Sequence, residues 1–291
     1  MCFKKKFRKE SAYFALLFFM RLGYILPRSY TMFFGRLLGR IGYFFIKKPL
    51  RLMRSNLRTA FKERYSSSEI EDLCRKNFEH WGITLFETVN LLKVRELKDL
   101  KGHVRLYNLE LLESNLRRDR GIILLTPHLG NWEVTAAVLS LKGYKFAVLA
   151  KEVYDNRLND VILRIRGGRR IVNIPRDSII TAIRYLKQGY ILGILPDQAT
   201  DVSGAYVDFF GKPAFTPTGP AKLSIKTGIP ILLFYNYRDD TGIIHVVFDK
   251  LIEKSYTDEV DLTRVWSRYF EEYITRYPEQ WVWMHERWKK I

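Results

Sequence analysis

Residues 121–133 read Gly-Ile-Ile-Leu-Leu-Thr-Pro-His-Leu-Gly-Asn-Trp-Glu, and this stretch decides the fold expected for the 291-residue chain. Its apolar β-formers predict a buried strand that ends at Thr126 and Pro127, and the residues that follow, Val-Thr-Ala-Ala-Val-Leu-Ser-Leu-Lys-Gly, predict a helix. His128 then lies at the carboxyl end of the strand, and Glu133 lies in the first turn of the helix. Ligands and catalytic groups of α/β sheets gather at that edge.

The pair of His128 and Glu133 suggests acid–base chemistry. A neutral imidazole can take a proton from a hydroxyl if its other nitrogen donates to an acceptor that fixes the tautomer. We predict that Glu133 is this acceptor, which makes His128 a candidate general base. The alternative is a histidine that only satisfies polar groups at the end of the strand, and the spacing alone does not separate the two.

The pattern after residue 100 predicts an α/β fold with a mostly parallel mixed sheet flanked by helices, because short apolar runs alternate with helical stretches. The turn at residues 238–242 predicts a hairpin and hence an antiparallel edge. Residues 195–220 are expected to form a long functional loop. Strands are predicted near 104–107, 121–126, 145–150, 170–174, 190–196, 230–237 and 243–248. Helices are predicted near 66–92, 108–118, 131–142, 156–166, 178–188, 217–227 and 261–276.

The positive charge is concentrated at the N-terminus. The chain has a formal charge of +18, and residues 1–64 carry 16 Lys/Arg against two Glu, so they supply +14 of it. Phe, Leu, Tyr and Met fill the rest of this segment, and basic residues among apolar ones are typical of a membrane-surface element. We therefore predict an N-terminal membrane-associating helical region over 1–64 and a catalytic domain over 65–291.

Residues 12–26 and 30–46 are interpreted as helices that lie in the bilayer interface. Two alternatives remain open: a single tilted span by 12–26 with Arg21 snorkelling to the surface, or core helices of a soluble domain with a basic outer face. The candidate membrane-contacting residues are Phe14, Leu17, Phe18, Arg21, Phe33 and Phe34.

Other stretches suggest binding groups or exclude classes of protein. Arg176, at a predicted strand-to-helix turn, suits a phosphate or carboxylate, whereas the nearby Arg164, Arg166, Arg169 and Arg170 are interpreted mostly as a solvated basic face. The tryptophans of the C-terminal tail form either an interfacial belt or core packing. No G-x-S-x-G elbow, P-loop or G-x-G-x-x-G is present, and no Cys/His set has metal-ligand spacing, so we expect neither a metal nor a cofactor. Nucleic-acid binding is a remote alternative, since the charge is interleaved with large apolar residues and no binding motif appears.

Four segments, in order, carry a resemblance to a known family. His-Leu-Gly-Asn-Trp-Glu at 128–133 matches an H-x4-D/E motif, and residues 35–62 include the pattern R-x-N-L-x-x-A-F. Residues 196–219 contain P-D-Q, F-F-G-K-P-A and T-P-T-G, and the tail from Pro278 reads P-E-Q-W-V-W-M-H-E-R-W-K. The chain resembles the late acyltransferases of lipid A biosynthesis, within the glycerolipid and lysophospholipid acyltransferase superfamily. Glu286 departs from the basic residue that this ending usually has.

The resemblance implies an O-acyltransferase at the cytoplasmic face of the cell inner membrane. It would move a fatty acyl chain from acyl carrier protein, or from acyl-CoA, to a hydroxyl of an anionic lipid A precursor. His128 would be the base and Glu133 its partner, with no covalent intermediate. The acceptor could instead be a phosphatidylinositol mannoside, an aminolipid or a lysophospholipid. The residues implied in substrate binding are Asn131, Arg176, Asp197, Gln198, Gly211, Lys212 and Thr216.

Overall fold

The computed structural model describes residues 17–18, 20–117, 119–150, 156–168, 170–253 and 256–289. Within these residues, seven strands form one sheet and two form a separate hairpin. The sheet strands are β1 (Val104–Tyr107), β2 (Ile122–Leu125), β3 (Phe146–Ala150), β4 (Val172–Pro175), β5 (Ile191–Ile194), β8 (Ile231–Arg238) and β9 (Ile244–Ile252), and the hairpin strands are β6 (Gly204–Phe209) and β7 (Lys212–Pro217).

The sheet has the order β1-β9-β8-β2-β5-β3-β4. Strands β8, β2, β5, β3 and β4 are parallel, while β9 runs antiparallel to β8 and β1 runs parallel to β9. The predicted mostly parallel mixed sheet and its antiparallel edge are therefore confirmed. Strand β2 lies between β5 and β8, and all four of its residues are buried, as expected for a parallel strand covered on both faces.

Most of the helices lie close to the predicted positions, but the helix Lys47–Phe61 was not predicted, and the helix predicted near 108–118 is limited to Leu109–Glu113. The helix Ser67–Asn90 begins with a capping box, in which the Ser66 side chain accepts from the Glu69 backbone N–H and the Glu69 carboxylate accepts from the Ser66 backbone N–H. Residues 17–18 and 20–25 are also helical. The described helices of five or more residues that follow them are α1 (Arg28–Phe45), α2 (Lys47–Phe61), α3 (Ser67–Asn90), α4 (Leu109–Glu113), α5 (Trp132–Leu141), α6 (Asn156–Gly167), α7 (Ile179–Leu186), α8 (Gly219–Thr227) and α9 (Glu259–Arg276).

The prediction of a long loop over 195–220 is wrong for the second half of that segment, which forms the β6–β7 hairpin. The two strands alternate buried and more exposed residues along most of their length, as period-2 strands do. Phe210 and Gly211 close the hairpin with φ of 55° and 69°. Two successive positive φ values suit a two-residue hairpin turn, but a phenylalanine at the first position hid that turn from sequence reasoning.

Helix α1 packs on α3 through glycines. A Cβ atom at Gly35 or Gly39 would lie 2.7 Å from the Ile83 Cα or 2.3 Å from the Phe78 carbonyl oxygen, so both positions exclude any side chain. The close approach orients α1, because it fixes which side of the helix faces the protein. The opposite side carries exposed apolar residues, namely Phe33, Leu37, Ile41, Phe44 and Phe45.

The candidate membrane-contacting residues differ in their exposure to solvent. Phe18, Arg21 and Phe33 are exposed, Leu17 and Phe34 are half-buried, and Phe14 lies outside the described residues. Of the helix predicted over 12–26, residues 20–25 are described as helical, and residues 12–16 lie outside the description. In the part of the chain that the structure describes, none of the helices has both the length and the apolar character required to cross a bilayer.

The C-terminal tail belongs to the core. Trp281 and Trp283 are buried, so the interpretation of these two residues as core packing is confirmed and the interfacial belt is wrong for them. Asn56 of α2 donates to the Trp283 carbonyl at 2.8 Å, and Asn77 of α3 donates to the Trp281 carbonyl at 2.7 Å. Helices α2 and α3 thus hold the tail in place. The predicted division after residue 64 falls at a 3-10 turn, Lys62–Arg64.

Candidate active site

His128 lies beside Asp197 at the carboxyl edge of the sheet. Leu125 of β2 pairs with Ile194 of β5. His128 lies three positions after Leu125, and Asp197 lies three positions after Ile194. The His128 Nδ1 atom lies 2.5 Å from the Asp197 Oδ1 atom, and the His128 backbone N–H donates to Oδ2 at 2.7 Å. One carboxylate therefore fixes both the backbone and the ring of His128.

Asp197 is a buried carboxylate held by several donors. The Trp281 indole N–H donates to its Oδ2 atom at 2.7 Å, in addition to the two contacts from His128. Burial by itself would raise the pKa of the Asp197 carboxyl, but the neighbouring imidazole and these hydrogen bonds hold the pKa below its usual value. Asp197 is therefore a carboxylate at neutral pH and can accept a hydrogen bond from the Nδ1–H group of the ring.

The turn after His128 is fixed from both sides. Gly130 adopts φ +67°, and its backbone N–H donates to the Gln280 carbonyl at 3.2 Å. A Cβ atom at Gly130 would lie 2.2 Å from the carbonyl oxygen of Asn236, so glycine is required. The backbone N–H of Asn131 donates to the Asn236 side chain at 2.5 Å. The turn is thus bound to both the tail and β8, which restricts movement of the imidazole.

The predicted pairing of His128 with Glu133 is not the one in the structure, where Glu133 is paired with Arg166. The Arg166 guanidinium makes a bidentate ion pair with Glu133, one contact being 3.0 Å from Nε to Oε2. Its third nitrogen donates to Asn173 of β4 at 2.7 Å. The physical reason is that the His128 Nδ1 atom already donates to Asp197 from the adjacent strand, while the first turn of α5 directs Glu133 toward α6.

Arg166 was interpreted as part of a solvated basic face, and that interpretation is wrong for this residue. Its side chain is only 12% exposed. From α6 it contacts Glu133 of α5 and Asn173 of β4. The arginine run around it gave no sign of which member turns inward. Asp197, in contrast, could have been paired with His128 from the sequence once β2 and β5 were known to be neighbours.

Asn131 lies in a buried polar network behind the turn. Its side-chain N–H donates to Glu87 of α3 at 3.2 Å, and Glu87 also pairs with Arg238 of β8 and, at 2.7 Å, with Arg28 of α1. Burial would raise the pKa of the Glu87 carboxyl, but the guanidinium of Arg238 and then that of Arg28 hold it below its usual value. The network therefore links α1 to the turn that carries His128.

Three of the implied substrate-binding residues lie near the hairpin. Thr216 is buried, and its hydroxyl accepts a hydrogen bond from Arg287 of the tail at 2.6 Å. Gly211 forms the turn, with its N–H donating to Asp208 at 2.9 Å, and Lys212 is exposed beside it.

Two others lie along the 195–203 segment. Gln198 is half-buried next to Asp197. Arg176 follows β4 as predicted, and its Nη2 atom donates to the Asp201 carbonyl at 3.3 Å. The structure thus shows contacts of Asn131, Asp197 and Thr216 within the buried framework, and it leaves Lys212 toward solvent.

The arrangement at His128 can perform proton transfer. With Nδ1–H donating to Asp197, the neutral ring has its lone pair on Nε2. The side chain is 21% exposed, so a reactant can approach it. The Trp132 ring packs edge-on against the imidazole with centroids 4.9 Å apart and limits rotation of the ring. These features are those of a positioned general base.

Comparison with known proteins gives a consistent family. A family model described as bacterial lipid A biosynthesis acyltransferase matches residues 1–290. The lipid A biosynthesis palmitoleoyltransferase of Escherichia coli (strain K12) is 25% identical over 275 residues, covering 91% of this chain and 86% of that protein.

Two further proteins are similar. The phosphatidylinositol mannoside acyltransferase of Mycobacterium tuberculosis (strain ATCC 25618 / H37Rv) is 25% identical over 191 residues, covering 62% of this chain; the match spans only 58% of that relative's length. The crystal structure of a 1-acyl-sn-glycerophosphate acyltransferase from Thermotoga maritima matches at 17% identity with a TM-score of 0.38, covering 83% of this chain and 94% of that one.

Proposed function

The chain belongs to the bacterial lipid A biosynthesis acyltransferase family, and from that premise we propose that it transfers a fatty acyl chain from an acyl thioester to a hydroxyl of a lipid A precursor. The observation that carries the proposal is the contact of the His128 Nδ1 atom with the buried Asp197 carboxylate at 2.5 Å. That contact leaves Nε2 as the basic nitrogen, and deprotonation of a hydroxyl is the step that a base of this kind assists.

The reaction proceeds in two steps without a covalent enzyme intermediate. The Nε2 atom of His128 takes the proton of the lipid hydroxyl as its oxygen attacks the thioester carbonyl, and Asp197 stabilises the imidazolium that forms. The tetrahedral intermediate then collapses, the carbon–sulfur bond breaks, and the imidazolium returns its proton to the leaving thiolate. One ester bond forms and one thioester bond breaks, so the exchange needs no ATP.

The donor is proposed to be acyl carrier protein, with acyl-CoA as the other source of the thioester. The net charge of +18 supports an anionic donor and an anionic acceptor, since opposite charge speeds encounter. Arg176, Gln198 and Lys212 are proposed to contact the substrates. Lys212 is exposed, Gln198 is adjacent to Asp197, and Arg176 donates to the Asp201 carbonyl in the same segment.

The site of action is proposed to be the surface of the inner membrane on its cytoplasmic side. Support comes from α1, whose outer side exposes Phe33, Leu37, Ile41, Phe44 and Phe45 as one apolar face beside basic residues. Monomeric soluble proteins rarely expose contiguous apolar patches of this kind, and an interfacial helix buries its apolar face among lipids.

A second acceptor is favoured by one observation. The similarity to a phosphatidylinositol mannoside acyltransferase, 25% identical over 191 residues, makes such a glycolipid the alternative acceptor. Both candidates would be acylated by the same proton transfer at His128, so the two differ in the lipid and not in the mechanism.

The test is acyl transfer by the purified chain to a lipid A precursor, a phosphatidylinositol mannoside and a lysophospholipid, each with acyl carrier protein or CoA thioesters. We expect one added acyl chain on the lipid A precursor by mass spectrometry, and its loss in His128→Ala. The matched control is His103→Ala, whose imidazole contacts Arg28. Transfer that persists in His128→Ala removes the mechanism, and transfer only to another lipid replaces the acceptor.

A further inference from the structure

A basic pocket lies on the outer side of α2, away from His128's own contacts. It has a volume of about 460 Å³, is open to solvent, and is lined by Arg51, Arg54, Ser55, Arg58, Thr59 and Lys212, which are together called the α2 pocket. The residues from α2 are spaced three to four positions apart, so they share one face of the helix. Lys212 joins them from the turn of the β6–β7 hairpin.

Most of the charge in the α2 pocket is not neutralised by the protein. Arg54 makes two contacts with Glu71, at 2.5 and 2.7 Å. Among the described residues, Arg51, Arg58 and Lys212 form no ion pair, although the Glu71 carboxylate that pairs with Arg54 also attracts Arg58 at longer range. Three unpaired cations around one cavity repel one another, and an anion bound between them would remove that repulsion.

The chemistry of the lining fits a phosphate group. Guanidinium groups bind phosphate oxygens in bidentate fashion, and the hydroxyls of Ser55 and Thr59 add short donors to the same cavity. A pocket with both kinds of donor fits a compact, multiply charged anion better than it fits the flat surface of another protein.

The position of the α2 pocket indicates that a lipid carries this phosphate. Helix α2 begins at Lys47, directly after the exposed Phe44, Phe45 and Ile46, of which Phe45 is 78% exposed. Arg51 follows Ile46 by five residues, or about 8 Å along a helix. In a bilayer, phosphate groups lie beside the apolar layer at this scale of distance.

We propose that the α2 pocket binds the phosphate of an anionic lipid, either a bilayer phospholipid or a phosphorylated acceptor lipid. The proposal deepens the proposed function and rests on it in one respect, namely that the enzyme works on a lipid at a membrane surface. Arg51 and Arg58 take no part in the site at His128, and phosphate binding would give these two residues a function.

The experiment compares the full chain with Arg51→Gln/Arg58→Gln in vesicle flotation and in acyl transfer. The matched control, Lys142→Gln/Lys187→Gln, removes two exposed charges that directly follow α5 and α7 and do not line the α2 pocket. Vesicles contain phosphatidylcholine alone or phosphatidylcholine with phosphatidylglycerol, and inorganic phosphate is added as a soluble competitor. Thermal unfolding by circular dichroism checks folding, and Arg51→Lys/Arg58→Lys tests whether charge restores binding.

For a bilayer phospholipid, binding to phosphatidylglycerol vesicles falls about 30-fold in the Gln pair, because each basic residue near an anionic surface contributes about a factor of five. Binding to phosphatidylcholine and binding by the control stay unchanged, and the Lys pair recovers most of the affinity. If the pocket instead binds the phosphate of the acceptor lipid, vesicle binding by the Gln pair stays unchanged and its KM for that acceptor rises. Competition by millimolar inorganic phosphate in either assay supports the shared phosphate chemistry.

Two results overturn the proposal. One is a Gln pair that matches the wild type in vesicle binding and in the acceptor KM. The other is a rise only in the KM for acyl carrier protein, which would make the pocket a docking surface for the donor. Because the vesicle assay needs no turnover, it still tests the pocket if no acyl transfer is found.

Discussion

The two ends of the motif at residues 128–133 have different partners. His128 contacts Asp197 and lies at the carboxyl edge of the sheet, where its ring is partly exposed. Glu133 lies five residues later and pairs with Arg166, with both side chains nearly buried. Two polar residues in one short motif therefore serve different parts of the structure, although their spacing suggested a single pair.

The difference teaches how the site divides its tasks. The carboxylate of Asp197 can fix the tautomer of the imidazole and stabilise its cation. The ion pair of Glu133 holds the start of α5 against α6 and β4, and so positions the turn that carries His128. In the proposed mechanism, Asp197 would stabilise the protonated imidazole, whereas Glu133 would keep the turn that carries His128 in position.

The largest effect is expected for Asp197→Asn. An amide of the same shape keeps the packing but neither favours the Nδ1–H tautomer nor stabilises the imidazolium, so kcat should fall about 10³- to 10⁴-fold. The measurement is kcat and KM for acyl transfer at saturating donor. Asp201→Asn is the control, since its side chain is exposed four residues further on. A loss of less than tenfold in Asp197→Asn would contradict the pairing.

An intermediate effect is expected for Glu133→Gln and Arg166→Gln. Each variant leaves a nearly buried charge without its partner, which should lower the free energy of unfolding by about 3 kcal/mol, and misplacement of the turn should lower kcat by up to about 100-fold. The double variant should lose less than the sum of the two, because they act as one pair. Denaturant titration and kinetics measure both quantities. If Glu133→Gln abolishes transfer while Arg166→Gln is neutral, Glu133 acts on the imidazole after all.

The smallest effect is expected for Trp281→Phe. It removes the indole N–H that donates to Asp197 at 2.7 Å, a hydrogen bond to a charged group worth about 1.5 kcal/mol, so kcat should fall about tenfold. Trp283→Phe is the matched control, because that buried indole donates to the Pro278 carbonyl instead. Equal losses of kcat in both variants would show that packing, and not the hydrogen bond to Asp197, is responsible.

The order of strands and helices could be predicted because it depends on local patterns. The buried run of β2, the hairpin at residues 238–242 and the capping box at Ser66 all have signals within a few residues. The β6–β7 hairpin was missed because Phe210 occupies a positive φ that favours Gly, Asn or Asp.

The pairing of the site could not be predicted, because it depends on which strands are neighbours. Asp197 is 69 residues from His128 in sequence, and it reaches the imidazole only because β5 lies beside β2. Arg166 turned inward for a similar reason, since Glu133 and Asn173 meet it from two other elements. Local spacing placed His128 and Glu133 in the same motif but gave no information on these tertiary partners.

The central claim concerns the proton on His128, and nitrogen NMR of the 15N-histidine-labelled chain measures it directly. Comparison with His128→Ala assigns the resonances of this ring. We predict protonated Nδ1 and unprotonated Nε2 in the neutral wild-type ring, the same pattern in Glu133→Gln, and a changed tautomer ratio in Asp197→Asn. A ring that is unaffected by Asp197→Asn but shifts its tautomer in Glu133→Gln would contradict the account.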